Sequence, residues 1–284
     1  MSESINFEMV LKTAAGLPMV KIERESFLQT ALAKHFDQET INIAIAENPA
    51  AAGISVERIN EIAKNSINYE TTKVTALSAA AGIPGGFAML GTVPADLAQY
   101  FGHMLRILQK LVYLYGWQEL FDENGNMDDE TANLLTLFTG VMFGVSGATS
   151  AVTKIAEKAA EHTAKNLAKK ALTKGAIYPI VKKVAGLLGV KMTKQIFARG
   201  VSKIVPVLGG AVSGVLTLAT YKPMAEKLRK YLEGLKLADV EFYKNCQTVP
   251  NTDYIEIENY EEVVDDIAES LPEGETDSAT ATEE

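Results

Sequence analysis

Apolar residues recur at three- and four-residue spacing along most of this chain, and no stretch alternates with the two-residue period of a half-buried strand. A first helix is predicted over residues 5–14, ended by Gly16 and Pro18. A second runs from Glu23 to Phe36, with Phe27, Leu28, Ala31, Leu32 and Phe36 near one face. Asp37 can cap a third through Thr40 to Ala46, and Pro49 and Gly53 break the chain after it. Ser55 opens a longer helix with Val56, Ile59, Ile62, Ala63 and Ile67 on one face, reaching about residue 80.

Next comes an uncharged Gly-rich turn, and then a long helix entered at Pro94 and ended near Trp117. At about 100° per residue, Asp96, Gln99, His103, Arg106 and Lys110 share an arc of about 80°. Leu97, Phe101, Met104, Leu105, Leu108, Leu111 and Val112 occupy the other half. An amphipathic helix with its polar face in water accounts for that division. A buried polar network or a catalytic site built on Asp96, His103 and Arg106 are the alternatives.

The Asp-rich segment 122–130 invites a calcium reading, but Met127 stands where an EF-hand loop started at Asp122 needs its glycine. Asp128 or Asp129 is better read as the cap of an uncharged helix over 131–148, marked by Gly140, Gly144 and Gly147. A basic amphipathic helix is expected over about 150–173, with Lys154, Lys158, Lys165 and Lys169 on one side. Gly175, Pro179, Gly186 and Gly189 divide shorter pieces. The run 204–221 is interrupted by Pro206, Gly209, Gly210 and Gly214, and Met224 to Leu235 forms a charged amphipathic helix.

Charge changes this picture more than composition does. The net charge of −9 conceals a block over 151–236 with 17 basic and 4 acidic residues, beside a segment 237–284 with 1 basic and 15 acidic. The basic block fits anionic lipid headgroups better than nucleic acid, because aromatic stacking residues are sparse within it. The acidic tail is expected to fold back and compete for the same lysines. Its residues Tyr260, Val263, Val264, Ile267 and Leu271 keep helical spacing, whereas its last residues lack apolar anchors and are expected to be disordered.

Three runs carry no charge: 74–95, 131–153 and 204–221. Their lengths match a membrane-spanning helix, yet glycine and proline interrupt two of them, and lipid-facing backbone tolerates such breaks only under protein or water. Core hairpins of a soluble bundle, insertion into one leaflet, and true spans all remain open. The single cysteine, Cys246, excludes an internal disulfide and a cysteine-based zinc cluster. With no basic-then-apolar leader, the expectation is a cytoplasmic protein, peripheral on the inner face of the membrane. No Lys-Ser or Lys-Thr P-loop and no G-x-S-x-G elbow occurs, and no pattern calls for a cofactor or a metal.

The run PGGFAMLGTVPADLAQYFGHMLRILQKLVYLYGW resembles the EcsC family of bacterial proteins. There a Gly-rich turn precedes a P-x-D helix ending in a Tyr-Gly pair, here Gly85, Gly86, Pro94, Asp96, Tyr115 and Gly116. The segment IVPVLGGAVSGVLTLATYKPMAEKLRKYL looks like the family's closing hairpin and amphipathic helix. The resemblance implies a helical accessory protein linked to an ABC transporter, without established catalytic residues to carry over.

The expected architecture is therefore all-α: a multi-helix bundle with Gly/Pro-broken apolar hairpins and a disordered acidic C-terminal tail. It divides into an N-terminal helical segment (1–54), an EcsC-like domain (55–235) and the tail (236–284). The expected role is a non-enzymatic, peripheral membrane-associated accessory or regulatory protein, linked to a transporter or secretion system. A soluble protein-interaction module is the alternative, and an enzyme the third.

Overall fold

The computed structural model describes residues 6–18, 20–80, 89–90, 93–122, 127–145, 147–161, 178–189 and 209–246. The fold is all-α. Three helices come first, α1 (Phe7–Ala15), α2 (Arg24–Leu32) and α3 (Gln38–Ala46), followed by the long α4 (Val56–Ala80). Helix α5 (Ala95–Leu114) is preceded by two residue pairs, β1 (Met89–Leu90) and β2 (Val93–Pro94), joined antiparallel with Met89 opposite Pro94. Then come α6 (Asp129–Phe143), α7 (Ala148–Glu161), α8 (178–189) and α9 (Gly209–Leu232). A 3-10 turn, Lys236–Ala238, and α10 (Val240–Cys246) close the described chain.

The predicted caps form. Asp37 Oδ1 accepts from Thr40 N at 2.8 Å, and Asp128 Oδ1 accepts from Thr131 N at 2.7 Å. Each satisfies a donor that the first helical turn leaves open. Helix α4 follows its predicted boundaries, with Ile59, Ile62, Ala63 and Ile67 buried.

Helix α5 is the hub, packing against α1, α2, α4, α6 and α9. Phe101 meets the Phe7 ring edge-on at 5.9 Å and stacks on Phe143 at 6.3 Å. Among the described residues one hydrophobic core takes in side chains from Phe7 to Ala238, so the N-terminal helices share it with the later ones. Two buried polar side chains tie them in. Gln109 of α5 accepts from Ile22 N at 2.8 Å and donates to Val20 O at 3.0 Å. The Arg24 guanidinium donates to the carbonyls of Ala44, Ile45 and Glu47 at the end of α3, and to Trp117 O. It thereby satisfies acceptors that the last turn of α3 leaves open.

Helix α5 ends in a Schellman turn: Gly116 N donates to Tyr113 O and Trp117 N to Val112 O. Gly116 sits at φ +99°, and a Cβ there would lie 2.7 Å from the carbonyl oxygen of Leu237. The closing segment therefore presses its backbone onto the one residue of this turn without a side chain.

Several expectations need correcting. Helix α2 stops at Leu32, short of Phe36. The helix expected over 131–148 ends at Phe143, because Gly144 turns left-handed (φ 64°) and closes another Schellman turn through Val145 N to Gly140 O at 2.8 Å. The G-x-x-x-G pair thus splits its roles. Gly144 ends α6, while Gly140 lets α8 approach, since a Cβ there would meet Val184 Cγ1 at 2.7 Å. Helix α9 runs unbroken from Gly209 through Pro223 to Leu232, joining pieces expected to be separate. Tyr221, Ala225, Leu228 and Leu232 bury one stripe on both sides of the proline. Burying Tyr221, Leu228 and Leu232, at about 1.5–3 kcal/mol each, exceeds the ~3 kcal/mol an interior proline costs. The described chain continues past residue 235 through the 3-10 turn and α10, with Leu237 and Ala238 buried.

Of the three uncharged runs, 131–153 is largely core: Leu134 to Met142 are all buried. Most side chains of 74–95 and 204–221 lie outside the described residues, as do the turn 81–88 and the acidic tail from residue 247. Among the described residues no helix is long and apolar enough to cross a membrane.

Candidate functional site

Among the described residues, charge gathers at the seam between α4 and α5, on the outward face of α8, and at the buried Arg229 of α9, which pairs with Glu226 at 2.7 Å and Glu233 at 2.8 Å. The seam overturns the expectation of a solvated polar face. Gln99 is exposed, but His103, Arg106 and Lys110 are covered, and only the backbone of Asp96 is described. Arg106 and Lys110 keep 15% and 12% of their side-chain surface, both turned to the fully buried Glu70 of α4. Glu70 Oε1 accepts from Lys110 Nζ at 2.6 Å and from Arg106 Nη2 at 3.3 Å. The Lys110 ammonium also lies 5.6 Å from the Phe27 ring centroid and 5.3 Å from that of Tyr69. A polar arc on a helix stays solvated only if nothing packs over it, and α4 brings a counter-charge that lets it pack there.

Burial alone would raise the Glu70 carboxyl. Hydrogen bonds from Lys110 and Arg106, with their positive charge, outweigh that and hold it below its ordinary 4.5. His103 moves down from 6.5, because burial disfavours its cation; Glu70 opposes this, while Arg106 and Lys73 add to it. It is neutral at pH 7. From α9, the Tyr221 hydroxyl donates to the His103 carbonyl at 3.0 Å. Glu70 Oε2 and His103 Nδ1 have no hydrogen-bond partner among the described residues. Arg106 and Lys110 both pair with Glu70, so this cluster is an ion-paired clamp between helices.

Glu70 was the residue missed by pattern, although the signal is present. Counted from Ile59 at about 100° per residue, it falls in the middle of the stripe formed by Ile59, Ala63 and Ile67. A carboxylate on an apolar stripe needs a buried partner.

The second place is α8. Val181, Val184 and Leu188 anchor it in the core, with Val184 against Gly140 and Ile180 beside Gly147. Its other half carries exposed Lys182 and Lys183 between Tyr178 and Leu187, which are 48% and 39% exposed. Lys182 Nζ lies 4.9 Å from the Tyr178 ring centroid. The Lys227 ammonium rests against Gly144 on the α6–α7 corner that also receives α8. Of the lysines singled out from sequence, Lys154 is half-exposed and sits 3.8 Å from Glu157. Lys158 has only its backbone described in α7, and Lys165 and Lys169 lie outside the described residues. The glycine and proline punctuation around 175–189 hid α8 as a basic surface helix.

A shallow cleft of about 830 Å³ opens between the start of α4, α7 and the closing segment, lined by Glu57, Glu157, Glu233, Lys236 and Glu241 among others. No group of three metal-ligating side chains occurs among the described residues. Comparison with protein-family models, with curated proteins and with solved structures gives no match in any of the three.

Proposed function

We propose that this chain is a non-enzymatic accessory protein that rests peripherally on an anionic membrane surface through the outward face of α8. One observation carries the reading. Four large apolar side chains are exposed among the described residues, and two of them, Tyr178 and Leu187, lie on this one helix. They flank the exposed Lys182 and Lys183. Aromatic and aliphatic edges beside lysines suit the headgroup layer, where apolar bodies sit at the boundary and ammonium groups meet lipid phosphate. The lack of any spanning helix among the described residues is compatible with association from one side. The EcsC resemblance supports the same role, with a transporter component as protein partner. The pairing of Arg106 and Lys110 with Glu70 favours a structural part for the α5 polar line over a catalytic one.

Flotation with phosphatidylglycerol vesicles and with phosphatidylcholine vesicles tests this at low salt. Binding is expected to the anionic vesicles alone. Each lysine near the surface contributes about 1 kcal/mol, so Lys182→Gln with Lys183→Gln weakens binding about 30-fold. The proposal is refuted if neither the wild-type chain nor a chain with the carboxylates of 260–271 neutralised floats with either vesicle.

A further inference from the structure

We infer that the acidic segment 260–271 of this chain docks on the outward face of α8 and competes there with anionic lipid for Lys182 and Lys183. The inference rests on the reading of α8 as an anion-facing surface. Three observations select this occupant.

Charge comes first. Residues 247–284 carry 13 acidic residues and no basic one, and five of the acids fall within 260–271. Shape is second. At about 100° per residue, Tyr260, Val263, Val264, Ile267 and Leu271 form one stripe, with Glu261 on one flank and Asp266 on the other. The exposed half of α8 offers the complement. Gly186 lies mid-face with open space above its Cα, Tyr178 and Leu187 stand at the edges, and Lys182 and Lys183 lie between. An apolar stripe set over Gly186 would leave its flanking carboxylates beside the two ammonium groups, as charged flanks do beside a coiled-coil seam. Reach is third. The described chain ends at Cys246, and the thirteen residues 247–259 can span up to about 45 Å.

The test keeps the full chain. Four substitutions, Glu261→Gln, Glu262→Gln, Asp265→Asn and Asp266→Asn, neutralise the segment. A control set, Glu273→Gln, Glu275→Gln, Asp277→Asn and Glu283→Gln, removes the same charge beyond it. At low salt the first set should bind phosphatidylglycerol vesicles at least about fivefold more tightly than wild type. The gain should shrink as salt shortens the screening length from about 8 Å to about 3 Å, and the control set should gain less. In parallel, zero-length carbodiimide cross-linking of the wild-type chain, free of lipid, should join Lys182 or Lys183 to a carboxylate of 260–271. Isotope mixing establishes that the link is within one chain.

If wild type binds vesicles but the two sets behave alike, or neither differs from wild type, tail docking is overturned and the membrane reading stands. If no form binds vesicles, the membrane reading falls and the cross-link decides: its presence keeps the docking, and its absence overturns it.

Discussion

Glu70→Gln is the sharpest test of the α4–α5 seam. The substitution keeps the side chain's volume and removes only its charge, leaving Lys110 and Arg106 at 12% and 15% exposure without their shared carboxylate. Breaking a buried pair from one side costs about 3–5 kcal/mol, because the partner charge stays desolvated. The two cations retain some contact with water, so the lower end applies, about 3 kcal/mol. For a chain of this size that is a fall of about 6–12 °C in Tm. Urea unfolding followed by fluorescence suits the measurement, since Trp117 is the only tryptophan and is buried.

A double-mutant cycle with Lys110→Met isolates the pair, and pH supplies a second signature. Glu70 has its folded pKa below 4.5, so its contribution is complete above that value and is lost as pH falls through the folded pKa. Wild type and Glu70→Gln should therefore converge in stability as pH falls from 4.5 through that lowered folded pKa. A loss under about 1 kcal/mol, or a coupling near zero with Lys110→Met, would sink the argument that this pair clamps the seam.

Two further outcomes are expected. Gly116→Ala must hold an L-residue at φ +99° with its Cβ 2.7 Å from Leu237 O. About 1–2 kcal/mol is lost to the left-handed backbone, and faster amide exchange over 236–246 should show the closing segment lifting away. His103 has a folded pKa below its ordinary 6.5, so the unfolded chain takes up the proton first, and stability is complete above about pH 6.5 and declines below it. Denaturation between pH 7.5 and 5.5 should show this decline in wild type and its absence in His103→Gln; equal slopes would disprove it.

Much of this molecule is legible from local chemistry. Asp37 and Asp128 cap helices because their short carboxylates reach the open amides of a first turn, which depends on neighbours in sequence alone. The α4 stripe and the apolar half of α5 follow from helical periodicity for the same reason. Gly140 and Gly144 were visible as marks on one predicted helix, but not that one glycine admits Val184 while the other ends the helix. That division depends on what packs against each. The run 204–221 and the helix Met224–Leu235 read as separate pieces, yet buried residues on both sides of Pro223 carry α9 through it.

By itself the sequence determined an all-α chain, its main caps, its charge blocks and the amphipathic division of α5. Only the tertiary structure decided which polar face meets water. The α5 line was read as solvated because periodicity sorts a helix into faces without saying what covers them. Glu70 lies 36 and 40 residues from Arg106 and Lys110, and brings the counter-charge that lets that face be buried. On α8 a basic face is left outward, because core packing is satisfied through Val181, Val184 and Leu188 and the lysines have the solvent side.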